Sequence, residues 1–306
     1  MRDISLQLEP GTFLAIVGKS GSGKTTLLKC IYGLEDLPAG TITLDEEPVL
    51  GPAYHLMPGH EDMKLVSQDY YVLENHTVAE NIFDKLIGYT NEVKEKRAKK
   101  LLHLLELEAL RDTRAKHLSS GQKQRVAIAR ALAIIPKLLL LDEPFSNLDK
   151  LLSDKLFAFI LKEVKQSKSS VILITHVAEE ALKYADYIAV MDEGRILQQG
   201  EKWQVYYHPK NSRLAGLLGH YNIIRNGDLL KKRAARFPSK LLVRADKLKV
   251  LSAAEQADLE CVVTGNVFNG KCVEVSAETS SGHDLLFYHA KALPLNKKLF
   301  CKIERP

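Results

Sequence analysis

The chain has 306 residues, 45% of them hydrophobic and 26% charged, ordinary values for a folded globular protein and enough length for two domains. Its 43 basic residues outnumber 38 acidic ones by a net +5, too small an excess to mark a nucleic-acid surface, and no nucleic acid is expected as a partner. Cysteines 30, 261, 272 and 301 form no C-x-x-C pair and no metal spacing, so they read as small apolar core residues in a reducing compartment.

The apolar runs at 131–135 and 138–141 fall far short of the ~20 residues that cross a bilayer, and no N-terminal signal pattern is visible. A cytosolic chain is expected, reaching a membrane only through a partner.

In chain order, residues 4–8 alternate as a strand before Glu9-Pro10-Gly11, and a short apolar run at 13–17 reads as the next strand. A breaker-free helix follows over 25–32. Ala39-Gly40 and residues 45–48 mark hairpin turns, and 64–67 reads as another strand ending at Gln68. From about 75 to 135 the composition turns helical: 92–110 carries apolar residues at helical spacing, and the Lys-rich run 94–100 reads as a solvated face. Alternation then returns, with helix 122–135, strand 138–141, helix 151–165, strand 171–175, helix 178–184 and a hairpin of 187–191 with 195–199. Strands alternating with helices predict a parallel sheet covered by helices. Beyond His208-Pro209, short strands at 241–243, 259–268, 272–277, 285–288 and 299–303, separated by turns such as Asn269-Gly270 and Ser281-Gly282, predict a small all-β barrel or sandwich.

Residues 18–25, Gly-Lys-Ser-Gly-Ser-Gly-Lys-Thr, match the phosphate-loop pattern G-x-x-x-x-G-K-[ST] in full, in the strand–turn–helix context it needs. Glycines there turn backbone N–H groups inward around a phosphate chain, and the helix start adds positive potential. Lys24 supplies a charge for the β- and γ-phosphates and the Thr25 hydroxyl a Mg²⁺ ligand. Three further polar positions follow apolar strands: Gln68, Asp142-Glu143 and His176. A parallel sheet sets such residues along one edge, outside the carboxyl ends of its strands. Asp142 is placed to hold Mg²⁺ and Glu143 to polarise a water. Leu118-Ser119-Ser120-Gly121-Gln122 opens a helix, with Ser119 and Gln122 at capping-box spacing; it reads either as a capped helix or as a second phosphate-binding helix start.

Taken together, these motifs resemble the ATPase subunits of ATP-binding cassette (ABC) transporters, in order and spacing, over about residues 3–210. Residues 18–25 stand as Walker A, Gln68 as the Q-loop, 118–122 as the signature, 138–143 as Walker B, Ser146-Asn147-Leu148-Asp149 as the D-loop and His176 as the switch histidine. Asn222-Ile223-Ile224, Val243-Arg244-Ala245-Asp246 and the strands around Gly265 and Gly270 are similar to the OB-type TOBE domain of bacterial import ATPases.

The resemblance implies an α/β phosphate-loop NTPase domain at 1–219 with a helical subdomain at about 75–135, then a small OB-like β domain at 220–306. It implies ATP and Mg²⁺ as cofactors and a head-to-tail dimer, or a paired cassette, with ATP between one Walker A and the other signature. Gly18, Lys19, Ser20, Gly21, Ser22, Gly23, Lys24, Thr25 and Thr26 would hold phosphates. Ser119, Gly121 and Gln122 would act across the interface, Thr25, Gln68 and Asp142 at the metal. Glu143 would be the general base, with His176, Lys24 and Gln68 completing the catalytic set. The implied partners are integral membrane permease subunits at the cytoplasmic face and a periplasmic or lipid-anchored solute-binding protein. A soluble ABC-type ATPase of DNA repair or translation and a weakly catalytic regulatory cassette are the alternatives. Two features depart from the family: Ser120 stands where glycine is usual, and no aromatic residue precedes Phe13 to stack on adenine.

Overall fold

A computed structural model describes residues 2–55, 58–67, 71–145 and 148–304. By packing the chain divides into two units, Met1–Lys202 and Trp203–Pro306.

In the first unit the strands are β1 (Phe13–Val17), β2 (Thr43–Leu44), β3 (Glu47–Pro48), β4 (Met63–Val66), β5 (Leu138–Asp142), β6 (Ser170–Thr175), β7 (Tyr187–Asp192) and β8 (Arg195–Glu201). The helices are α1 (Lys24–Tyr32), α2 (Val78–Phe83), α3 (Asn91–Leu104), α4 (Ser120–Leu132), α5 (Lys150–Ser167) and α6 (Ala178–Tyr184). One six-stranded sheet runs β4-β5-β6-β1-β7-β8, parallel throughout except for the antiparallel β7–β8 hairpin. Every residue of β1, β5 and β6 is buried, because helices cover both faces. On one face Leu14 and Ile16 pack against Leu27, Leu28 and Ile31 of α1. On the other, Phe13 meets Phe157 of α5, which stacks on Tyr184 of α6 at 3.9 Å and meets Phe145 edge-on.

Both tight hairpins turn on residues with positive φ: Asp45 and Glu46 (50° and 69°) between β2 and β3, Glu193 and Gly194 (47° and 76°) between β7 and β8. Such turns match the twist of the strands they join. Between β4 and β5 the chain makes the expected helical insertion; α3 stops at Leu104, and a 3₁₀ turn, Glu108–Leu110, lies in the rest of the 92–110 stretch.

Two expectations need correction. Residues 4–8 form no strand; Ile4, Leu6 and Leu8 pack on the core at alternate positions, so the periodicity was real, but no ladder partner lies among the described residues. The 94–100 run is not merely solvated. Arg97 donates to the carbonyls of Leu132 and Ala133 at the end of α4, and Arg97 and Lys100 both pair with the buried Glu163 of α5.

The second unit contains α7 (Lys202–Tyr207, of which 203 onward belongs here), α8 (Ser212–Leu217), a two-stranded sheet of β9 (Tyr221–Arg225) with β10 (Lys240–Arg244), and a five-stranded antiparallel sheet. The latter comprises β11 (Leu248–Leu251), β12 (Leu259–Phe268), β13 (Val273–Thr279), β14 (Asp284–His289) and β15 (Lys298–Ile303), in the order β11-β15-β12-β13-β14. Inward residues at alternate positions, among them Leu259, Cys261, Val263, Val275, Phe287 and Cys301, fill one core. All four cysteines are free, and three are buried as expected. Residues 203–219 pack with this unit because the buried Arg244 caps them, donating to the carbonyls of Tyr206, Ala215 and Gly219.

Among the described residues no helix is long and apolar enough to cross a membrane.

Candidate functional site

The register of the sheet decides where the polar strand ends meet. Val17 pairs with Thr175, Asp142 with Ile174, and Val66 with Leu141. Gly18, Glu143 and His176 therefore leave adjacent strands at one edge, as the sequence predicts. Gln68 of the same set lies outside the described residues, as do Ser146 and Asn147 of the tetrapeptide at 146–149.

Between β1 and α1 the loop 18–23 closes on its own glycines. Gly18 is buried, and a Cβ there would lie 2.1 Å from the Met191 carbonyl oxygen, so no side chain fits. Gly21 and Gly23 take φ of 77° and 96°, conformations that cost other residues strain. Gly23 caps α1 without a side-chain hydrogen bond, and the first turn contains no acidic residue. The opening N–H groups of α1 thus keep their positive potential uncompensated by side chains, which suits a bound phosphate chain. The loop rests on the β7–β8 turn through Gly194 N–H donating to Ser22 O.

Lys24 is 5% exposed, and its ammonium donates to the carbonyls of Gly18 and Lys19, both at 2.9 Å. Burial pulls it below the usual lysine range, while the carboxylates of Glu143 and Asp142 act in the opposite direction. Asp142 is buried, and burial pushes its carboxyl above the ordinary range; a hydrogen bond with Thr25 opposes this, Glu143 adds to it, and Lys24 opposes it. One cation and two carboxylates are therefore within electrostatic reach of each other, with the Thr25 hydroxyl beside them. Among the described residues no three His, Cys, Asp or Glu side chains converge to hold a metal. A Mg²⁺ ion here would draw on Thr25, Asp142 and phosphate oxygens, the usual mixture of few protein ligands with substrate oxygens for this metal.

Glu143 has φ 46°, in the left-handed region that a non-glycine residue seldom enters, and its N–H donates to Ile174 O at 3.0 Å. Its carboxylate meets His176 Nδ1 at 3.1 Å. Lys24, Asp142, Glu143 and His176 are thus linked in one cluster. Thr175 and Glu180, which the sequence did not single out, brace the histidine turn: Thr175 Oγ1 donates to Glu180 at 2.6 Å and accepts from Val177 N–H at 3.0 Å. Burial raises the Glu180 carboxyl, and the Thr175 hydroxyl opposes the shift. No sequence signal marks this pair, because it depends on the strand-to-helix turn.

Ser119 caps α4 by the expected capping box, its hydroxyl accepting from Gln122 N–H and its N–H donating to the Gln122 side chain. Ser120 is exposed, and a Cβ on Gly121 would touch nothing within 4 Å. Among the described residues no hydrogen bond joins Ser119, Gly121 or Gln122 to the 18–25 loop. Lys19, Ser20, Thr25 and Thr26 are exposed around that loop.

Comparison with known proteins adds the decisive observation. The family model for ABC transporters matches residues 1–146. An Fe(3+) ions import ATP-binding protein FbpC of Pseudomonas fluorescens is 38% identical over 82% of this chain and 75% of its own length. A sulfate/thiosulfate import ATP-binding protein CysA of Synechocystis is 33% identical over 94% of this chain and 83% of its own. The chain belongs to the ABC transporter family.

As an import-type ABC ATPase it shares its phosphate-loop NTPase fold with solved cassettes. A post-hydrolysis dimer of the ATP-binding cassette MJ0796 bound to ADP and Pi is 28% identical, with a TM-score of 0.56 over 64% of this chain and 88% of that one. A further ATP-binding subunit of an ABC transporter gives a TM-score of 0.61 at 26% identity over 71% of this chain and 88% of that one.

The raised Asp142 carboxyl gives this ABC ATPase a stability test with a definite sign. A folded-state pKa above the unfolded value of 3.8 means the native state binds the proton more tightly. Ionised Asp142 therefore weakens the fold progressively as pH rises above 3.8 and through the higher folded value. Asp142→Asn is expected to raise Tm at pH 7 and to match the wild type below the unfolded pKa. Melting curves between pH 3 and 8 check this; a lower Tm for the variant across the range overturns it.

Proposed function

We propose that this chain is the ATP-hydrolysing subunit of an importer, working as a head-to-tail homodimer, or beside a related cassette, on the cytoplasmic face of the membrane. Its partners are integral membrane permease subunits and a periplasmic or lipid-anchored solute-binding protein. The single observation that carries the reading is the cluster at the sheet edge, with Glu143 on His176 at 3.1 Å and both carboxylates acting on the buried Lys24.

Residues 18–26 cradle the triphosphate with backbone N–H groups, and Lys24 turns from the Gly18 and Lys19 carbonyls to the β- and γ-phosphates. Thr25, Asp142 and Gln68 would hold Mg²⁺, which would supply positive charge to offset that of the phosphates. Glu143 takes the proton of the attacking water, and His176, fixed by that carboxylate, faces the γ-phosphate. Ser119, Gly121 and Gln122 reach the nucleotide of the other copy. Because ATP touches both copies, it favours the closed pair, and hydrolysis removes that preference. The antiparallel order β11-β15-β12-β13-β14 supports an OB-like TOBE domain beyond residue 219. The relatives named for Fe(3+) and for sulfate/thiosulfate support a solute chosen outside this chain.

The test is made on the purified full chain. With Mg²⁺ and ATP it is expected to release phosphate at on the order of 1 s⁻¹ or faster, and to sediment as a dimer only with nucleotide. A chain that stays monomeric and releases no phosphate refutes the proposal.

A further inference from the structure

Helix α4 buries a stripe at helical spacing, Gln124, Ala127, Ile128 and Ala131, and the glutamine breaks its apolar pattern. A buried amide is retained at a cost unless its partners reward it. Gln124 is 4% exposed; Nε2 donates to the Pro144 carbonyl at 2.7 Å, and Oε1 is buried with no partner among the described residues. A carbonyl takes only a donor, so Pro144 fixes which way the amide points.

Pro144 directly follows Glu143 at the strained end of β5. Its ring removes the N–H, leaving the carbonyl as its backbone hydrogen-bonding group. The turn is therefore held from two sides, by Ile174 O on the Glu143 N–H and by Gln124 on the Pro144 carbonyl.

We propose that Gln124 is a positioning residue for ATP hydrolysis, which sets the Glu143–Pro144 turn and so makes the placement of the Glu143 carboxylate depend on the orientation of α4. The inference rests on Glu143 as the general base. The helix that begins at Ser119 thereby acts on its own subunit's hydrolytic centre five residues further on. A shift of about 1 Å in a reacting group costs roughly a hundredfold in rate.

Gln124→Leu keeps the volume and completes the apolar stripe while removing the bond to Pro144. In the full-length protein kcat is expected to fall roughly ten- to a hundredfold, with ATP affinity in the absence of Mg²⁺ held within about twofold. Ile128→Val, a packing change on the same helix, is expected to lower Tm without that split between kcat and affinity. The proposal is overturned if Gln124→Leu keeps kcat within about twofold of the wild type, or if its kcat and affinity fall together. Should the leucine variant not fold, Gln124→Asn, which withdraws the amide by one methylene, faces the same two outcomes. Glu143→Gln is assayed alongside: turnover at the wild-type rate there refutes the general-base reading itself, separately from the role of Gln124.

Discussion

Glu143→Gln is expected to lower steady-state ATP turnover by about 10²- to 10⁴-fold while binding ATP as well as the wild type and accumulating as an ATP-bound dimer. The exchange is close to isosteric, so the left-handed turn at Glu143 and the bond from its N–H to Ile174 O remain. What disappears is the ability to take a proton. Little stability goes with it, since the His176 side chain is 59% exposed and an open polar contact of this kind contributes at most about 1 kcal/mol. A loss of turnover without a loss of Tm therefore reports chemistry rather than unfolding. The dimer follows from the same logic: if hydrolysis ends the closed state, blocking hydrolysis prolongs it. Phosphate release and size-exclusion chromatography with ATP check both halves. Wild-type turnover in this variant removes Glu143 from the mechanism.

Much of this site could be read from the chain because it is made of strand ends. A continuous apolar run such as Leu138 to Leu141 suits a strand covered on both faces, so the residue after it emerges at the sheet's edge. The same holds for β1 and β6, which is why Gly18 and His176 were legible beside Asp142 and Glu143. The capping box at Ser119 was legible for a different reason, since both of its bonds lie within one helical turn.

The misses are contacts that span elements. Nothing local links Thr175 to Glu180 across a turn, Arg97 to the end of α4, or Gln124 to Pro144. For Gln124 a signal did exist, a polar side chain on a helix stripe that is otherwise apolar. The strand predicted at 4–8 failed in the opposite way. Its periodicity correctly gave one half-buried side, but a strand also needs a neighbour to accept its hydrogen bonds, and periodicity cannot supply one. In the second unit β12 was predicted in full by its length and alternation, whereas β11 went unpredicted.

Lys24→Ala is expected to weaken ATP binding by about 10²- to 10³-fold, or about 3–4 kcal/mol. Two losses combine. The first is the charge that meets the β- and γ-phosphates. The second is internal: Lys24 acts on both Asp142 and Glu143, with Lys29 also acting on Asp142, so its removal leaves two carboxylates less offset before an anionic ligand. Opposite unit charges 4 Å apart are worth about 4 kcal/mol at an effective dielectric constant of 20, so either loss alone is of the right size. The ammonium donates to the carbonyls of Gly18 and Lys19, and phosphate contacts would be made in exchange for those two bonds. That exchange keeps the net effect well below the sum of the Coulomb terms. Because the second loss is repulsive, added Mg²⁺ is expected to recover part of the affinity in the variant, more than it adds in the wild type. Calorimetric titration with ATP, with and without Mg²⁺, measures both quantities. An ATP affinity within threefold of the wild type under either condition places the triphosphate somewhere other than the loop at 18–25.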